Sequence, residues 1–215
     1  MASLLKSTKN TRWLEDSHRY VRSDVLDQLT KEDIRFLEEH NIRTVVDLRD
    51  EAERERQPCV LEKREGFTYY HLPATGGNFA PHSQEEVIRS YIRMADAQME
   101  KILKTIEEAP TNVLYFCSAG KDRTGVVSAL LLCRMGAGKD QIVQDYMQSK
   151  ENLKEGLEQY AKMTGAPLSV ITPAAQYMEA FLAWLEQEKS RKASEGSTAD
   201  GYRWLYFFST SVGSA

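Results

Sequence analysis

The sequence predicts an α/β fold in which a central, mostly parallel sheet is flanked by helices, with additional helices near the C-terminal end. The apolar run 113–116 and the longer apolar run 126–135 are separated by a short loop, which is the pattern of a buried strand followed by a buried helix. Strand-like runs also lie at 42–48 and 66–72, and helical patterns alternate with them, as in strands joined by helices. Beyond residue 138 the apolar residues follow helical spacing.

The composition limits the class of protein. A chain of 215 residues that is 41% hydrophobic and 28% charged fits one globular domain with a sizeable core. The net charge of −4 disfavours a nucleic-acid-binding protein, which is usually basic. No apolar stretch has the length of a transmembrane segment, and the N-terminal region lacks the apolar core of a secretory signal. Three widely spaced cysteines predict a reducing, cytoplasmic compartment, although delivery outside the cell stays open.

Capping and breaking residues delimit the elements before the central strand. Thr30, followed three positions later by Asp33, predicts a helix that begins with a capping box. Ser83 opens a second helical pattern, which we predict to continue without a break to about residue 108. The loop 74–82 before it contains two glycines and a proline, so we predict a flexible connection.

The residues after the central strand combine a cysteine, glycines and an arginine in a spacing that suits an anion site. They are Cys117-Ser118-Ala119-Gly120-Lys121-Asp122-Arg123-Thr124-Gly125. A loop between strand and helix can curl so that its N–H groups point inward, and the two glycines permit the tight backbone. Such a hollow fits a tetrahedral dianion, which Arg123 could hold with a bidentate fork. The amides, the helix dipole and Arg123 would also favour the thiolate of Cys117, placed for in-line attack on phosphorus.

Cys117-x5-Arg123 followed by Thr124 resembles the signature of the cysteine-dependent protein tyrosine phosphatases, and the string from Ala119 to Gly125 is similar to their microbial branch. The resemblance implies hydrolysis of phosphotyrosine, in some members also of phosphoserine, phosphothreonine or phosphoinositides. It implies a cysteinyl-phosphate intermediate and no cofactor. The four histidines show no metal-ligand spacing, so we predict no metal site.

The resemblance covers roughly residues 20–186 and implies one phosphatase domain at 1–190. We predict that residues 191–215 form a polar linker and a tail with an aromatic run at 202–208. The tail could dock on the domain, contact a partner or lack order. The sequence does not indicate the oligomeric state.

The resemblance also assigns roles within the loop. Cys117 is the nucleophile, Arg123 binds the phosphate, and the Thr124 hydroxyl could help the thiolate to leave or could cap the helix. The expected substrate-binding residues are Ser118, Ala119, Gly120, Lys121 and Gly125. Lys121 adds a positive charge at the rim, similar to phosphoinositide phosphatases that hold extra phosphates, although a solvated lysine is the alternative.

Arg49 is a candidate second anion contact. It follows Asp47-Leu48 at the end of the strand at 42–48, which resembles the family's Asp-Leu-Arg motif, and ligands of open α/β sheets bind at this edge. The alternative is a solvated arginine, because residues 51–56 form a stretch dense in charges of both signs.

Three residues are candidates for the general acid. A proton donor should help a phenolate or alkoxide to leave, but the loop 74–82, where the family often carries this acid, has no Asp or Glu. Asp122 lies within the signature, and myotubularin-like phosphatases are similar in using such an Asp. Asp122 could instead rigidify the loop. His82 and Asp47 are further candidates.

One residue departs from the family pattern, since Phe116 stands where a histidine usually precedes the cysteine. We therefore predict a protein tyrosine phosphatase and keep two alternatives, a phosphoinositide phosphatase and a phosphate-binding pseudophosphatase. A sulfur-transfer or arsenate-reducing protein is disfavoured, because arsenate reduction needs nearby resolving cysteines, and nothing in the sequence brings Cys59 or Cys133 to Cys117.

Overall fold

The computed structural model describes residues 3–14 and 17–194. Within them five strands form one sheet in the order β1-β2-β5-β3-β4. The strands are β1 (Arg12–Trp13), β2 (Tyr20–Ser23), β3 (Ile42–Asp47), β4 (Thr68–His71) and β5 (Asn112–Phe116). Only the β1–β2 pair of this sheet is antiparallel, so the predicted mostly parallel sheet is confirmed.

Helices flank this sheet, as predicted. Those of the described residues are α1 (Lys31–Glu39), α2 (Glu51–Arg56), α3 (Gln84–Met94), α4 (Ala97–Glu107), α5 (Asp122–Arg134), α6 (Lys139–Asn152), α7 (Lys154–Thr164), α8 (Leu168–Ile171) and α9 (Ala175–Ser194). Across the same part of the chain, no helix combines the length and the apolarity that a membrane span requires.

Two element boundaries differ from the prediction. The helix expected from residue 83 to about 108 is two helices, because the Asp96 side chain accepts a hydrogen bond from the Met99 amide (2.9 Å) and so caps a new start. Helix α9 continues to Ser194, so the first residues of the predicted linker are helical. The aromatic run at 202–208 lies outside the described residues.

Strand β5 divides the core into two layers through the alternation of its side chains. Val113, Tyr115 and the following Cys117 face a cluster built with α3, α4, α5 and α9. Leu114 and Phe116 face the opposite cluster, which includes residues of α1 and the N-terminal segment. This period of two places the cysteine on the side of the sheet that carries α5.

Helix α5 is the innermost helix, as its apolar sequence predicted. Every residue from Arg123 to Cys133 is buried, so the helix is enclosed on all sides. Its N-terminus therefore starts inside the protein, directly after the loop that leaves β5, and the loop is fixed at both ends by buried elements.

Candidate active site

The loop between β5 and α5 is compact and buried at its base. Cys117 is a free thiol with 2% of its surface exposed. Gly120 has φ +65°, and a Cβ there would lie 2.5 Å from the Ser23 carbonyl oxygen. Both the left-handed backbone and the close approach to β2 require glycine at this position.

The loop turns its carbonyl groups outward. The Ser118 oxygen accepts from the Val25 amide (3.2 Å), and the Ala119 and Gly120 oxygens accept from Asn10 Nδ2 (3.1 and 3.0 Å). Within residues 3–14 and 17–194, the amides of 118–121 donate to no protein acceptor. Unpaired amides at a helix N-terminus form an anion site.

Arg123 is held over this loop by Glu53. Arg123 Nη1 lies 2.5 Å from Glu53 Oε2, and Nη2 lies 2.7 Å from Oε1, in a bidentate pair. Burial alone would lower the pKa of the guanidinium, but the Glu53 hydrogen bonds and the nearby Cys117 sulfur raise it. A guanidinium carries five N–H donors, so Glu53 leaves others free, including the buried Nε, which lacks an acceptor among the described residues.

Glu53 was missed by the sequence analysis, which treated residues 51–56 as a charged stretch. It lies in α2, where Asp50 and Glu53 form a capping box, and its Oε1 also accepts from Ser118 Oγ (2.5 Å). Burial opposes ionisation, yet the bonds from Arg123 and Ser118 lower the pKa of Glu53 to about 2. The Asp50-x-x-Glu53 spacing was the signal for this helix.

Asp122 lies at the start of α5 with 28% of its side chain exposed. Its Oδ1 accepts from the Tyr91 hydroxyl (2.6 Å), and its Oδ2 lies 3.3 Å from Lys121 Nζ. Burial, and then the charge of Asp122, raise the pKa of Tyr91, so the tyrosine stays a neutral donor. The Thr124 hydroxyl is buried and has no partner in the described part of the chain.

Comparison with known proteins identifies the family of this chain. The model of the Tyrosine phosphatase family matches residues 6–191, a span that includes the whole loop and its supports. This chain belongs to the tyrosine phosphatase family. A tyrosine-protein phosphatase of Nostoc commune is 28% identical over 145 residues, which is 63% of this chain and 49% of that relative. The chain thus spans about half the length of this relative.

Of two further similarities, one covers a shorter segment and the other has a lower identity. The triple specificity protein phosphatase PtpB of Mycobacterium tuberculosis is 45% identical over 51 residues, which is 24% of this chain and 18% of PtpB. Among solved structures, that of P. aeruginosa TpbA is 17% identical, with a TM-score of 0.40, and the match covers 78% of this chain and 86% of TpbA.

The structure gives packing and hydrogen-bond contacts for two of the predicted substrate-binding residues, Lys121 and Gly125. Lys121 is buried, and its Nζ donates to the Ile171 carbonyl (2.5 Å), so it is neither a free rim charge nor a solvated lysine. Gly125 lies within α5, where a Cβ would come 3.2 Å from the Tyr146 ring. Its absence of a side chain therefore serves the packing of α6 on α5.

Arg49 is also a correction. Its side chain is fully buried, with Nε and Nη2 on the Asp47 carboxylate and Nη1 on the Gln57 carbonyl. The guanidinium has no exposed face for a substrate anion. Its role is structural, because it joins the end of β3 to the end of α2.

Phe116 is buried beneath Arg49, whose guanidinium carbon lies 5.0 Å from the ring centroid. The ring therefore contributes a cation–π contact and apolar packing below the loop. A phenyl ring has no hydrogen-bonding group, so Phe116 cannot form the side-chain hydrogen bond that a histidine at this position could make with the loop.

The other two acid candidates differ from Asp122 in their surroundings. Asp47 is fully buried and accepts from Arg49 and from the Tyr69 hydroxyl (2.7 Å). His82 is exposed in the loop 74–82. This loop does approach the site, because a Cβ on Gly77 would lie 2.9 Å from Arg123 Cγ.

Gly120→Ala should destabilise the fold more than Gly165→Ala, which is its matched control. Both glycines are left-handed (φ +65° and +74°), but nothing lies within 4 Å of a Cβ at Gly165. We expect about 1 kcal/mol for Gly165→Ala and roughly 2 kcal/mol more for Gly120→Ala. Urea unfolding measures both, and equal losses would contradict the close approach to β2.

Glu53→Gln should lower the free energy of unfolding at pH 7 by roughly 2 kcal/mol. Because the folded-state pKa of Glu53 falls from 4.5 to about 2, its contribution is present above about pH 4.5 and is lost as the pH falls towards 2. The difference from wild type should therefore shrink at pH 3. The exposed Glu179→Gln is the control, and a pH-independent difference would refute the assigned pairing.

Proposed function

We propose that this chain is a protein tyrosine phosphatase that hydrolyses phosphomonoesters, phosphotyrosine first, through a cysteinyl-phosphate. The observation that carries the proposal is the loop between β5 and α5, in which a buried free Cys117 is followed by amides without protein partners in the described residues and by Arg123. Membership of the tyrosine phosphatase family supports the same reaction class.

The first half-reaction that we propose uses these groups. The thiolate of Cys117 attacks phosphorus, an S–P bond forms, and the bond from phosphorus to the leaving-group oxygen breaks. The loop amides and Arg123 stabilise the charge on the non-bridging oxygens, and such electrostatic stabilisation contributes most of the catalysis in phosphoryl transfer. The leaving oxygen takes a proton from a general acid, and we assign that role to Asp122.

The second half-reaction regenerates the enzyme. The Asp122 carboxylate accepts a proton from water, the water oxygen attacks phosphorus, and the S–P bond breaks to release phosphate and thiolate. The buried Thr124 hydroxyl, which has no partner in the described residues, is the group we assign to stabilise the departing thiolate.

The alternatives differ in what supports them. The phosphoinositide hypothesis depended on a free charge at Lys121, and the contact of Lys121 with Ile171 removes that support. The pseudophosphatase hypothesis depended on Phe116 and on the missing loop acid, and turnover decides it. Phosphoserine and phosphothreonine peptides belong in the same assay, because one relative is named for three specificities.

Cys117→Ser should reduce hydrolysis of para-nitrophenyl phosphate by more than about 1,000-fold, because the nucleophile is lost. The assay is run in chelator, with Cys133→Ser as the matched control in the core of α5. Turnover by wild type and Cys133→Ser alone supports the mechanism. If vanadate binds but no variant turns over, the chain is a pseudophosphatase.

Asp122→Asn should lower kcat by roughly 100-fold on a phosphotyrosine peptide and abolish the basic limb of the pH–rate profile, because the proton donor is lost. The effect should be smaller for an aryl phosphate with a more acidic leaving group. Asp140→Asn, at an exposed position of α6, is the control. Full turnover by Asp122→Asn at every pH would assign the acid elsewhere.

A further inference from the structure

We propose that Asn10 and Arg22 are positioning residues, which hold the carbonyl groups of Ala119 and Gly120 away from the site so that the following amides face a bound oxyanion. The proposal rests on the proposed function for its catalytic consequence. It gives the N-terminal segment, remote in sequence from the loop, a part in anion binding.

Both residues donate hydrogen bonds directly to carbonyl oxygens of the loop. Asn10 Nδ2 donates to both the Ala119 and Gly120 oxygens, and Arg22 Nη2 donates to the Gly120 oxygen at 2.9 Å. In a planar trans peptide the C=O of one residue and the N–H of the next point in opposite directions. Anchoring these two oxygens outward therefore turns the amides of Gly120 and Lys121 towards the other side of the loop.

The Asn10 amide is itself fixed in orientation. Its Oδ1 accepts from Arg12 Nη1 (2.6 Å) and from Asn152 Nδ2 (3.1 Å), so Nδ2 is the atom left for the loop. Its backbone amide donates to Asp24 Oδ1 (3.0 Å). Asn10 is fully buried, and its side chain cannot rotate without breaking these bonds.

Arg22 is fixed in the same way. It is fully buried, its Nη1 pairs with Asp145 of α6, and Asp145 also accepts from Arg12 Nε (3.2 Å). Burial, and then the charge of Arg22, lower the pKa of Arg12 to about 10. The two guanidinium groups and the carboxylate thus bind the loop to β1, β2 and α6 together.

The unpaired amides distinguish this role from simple stabilisation. A loop selected for stability alone would pair its N–H groups, because an unpaired donor away from water is destabilising. Here the carbonyls have protein partners, while the amides of 118–121 have none in the described part of the chain. The anchors therefore keep donors available for an anion.

The test compares Asn10→Asp with Asn112→Asp. Both asparagines donate Nδ2 to backbone carbonyls, but Asn112 bonds to His40 at the opposite end of β5. The Asp variant turns an oxygen towards two carbonyl oxygens. We expect kcat/KM and vanadate affinity to fall roughly 10- to 100-fold in Asn10→Asp, and neither to change in Asn112→Asp.

Two readouts separate loop geometry from general destabilisation. Thermal unfolding identifies the variants that fold, and the neutral Asn10→Ala is measured in every case, because the carboxylate of Asn10→Asp would itself repel an anion. Inactivation by iodoacetate, an anion, is compared with inactivation by neutral iodoacetamide. The ratio of the two rates should fall in the Asn10 variant only, because loss of the inward amides removes the attraction for the carboxylate.

The outcomes are distinguishable. If a folded Asn10 variant keeps the wild-type vanadate affinity and the wild-type ratio of iodoacetate to iodoacetamide inactivation, the positioning role is overturned. The proposed function is then left intact. A wild type that binds vanadate more tightly than the Asn10 variant, but has no turnover, would keep the positioning role and remove the function. In the wild type, the amide resonances of Gly120 and Lys121 must shift on addition of vanadate. If these amide resonances do not shift, the proposal is overturned, whether or not the Asn10 variant folds.

Discussion

The carbonyl oxygens of Ser118, Ala119 and Gly120 point away from the cysteine, and hydrogen-bond donors from β2, the residues after it and the N-terminal segment satisfy them. Because the C=O and N–H groups of a peptide point in opposite directions, carbonyl oxygens that point outward leave the N–H groups facing the interior of the loop. The chemistry of the site follows from that direction: the free amides, the exclusion of backbone negative charge from the hollow, and a left-handed Gly120 that lets the chain complete the turn.

A buried ion pair also supports the site. Arg123 and Glu53 are both largely buried, and each would be costly alone, but the bidentate pair satisfies the carboxylate and part of the guanidinium. Glu53 also accepts from Ser118, so one short helix, α2, contacts the loop at its beginning and at its end. Arg49 likewise pairs with a buried carboxylate, that of Asp47, and therefore lies beneath the loop rather than in it. The site thus combines one arginine with donors left for a ligand and another whose charge is used within the protein.

The local parts of the fold and site could be predicted, and the distant supports could not. The strand, the loop and α5 are consecutive, so spacing alone placed Cys117 and Arg123 together. The break at Asp96 was missed because apolar periodicity continues across it, although the capping aspartate marks it. Glu53, Asn10 and Arg22 carry no local pattern for a role at the loop 117–123, since their contacts depend on how β2, β3 and β5 lie side by side. The roles expected of the Lys121 and Arg49 side chains differ from their contacts, because charge in a sequence does not indicate burial.

The bond from Asn10 to Gly120 joins residues 110 positions apart, and the bond from Asn10 to Ser149 spans 139. Contacts of such separation close late, because the entropy of a long chain loop must be offset before they form. During synthesis the first segment of the chain leaves the ribosome long before α6 exists to receive it. The contacts that hold the loop after Cys117 are therefore completed only after Ser149 of α6 has been made, and until then the nascent protein carries a thiol without these supports.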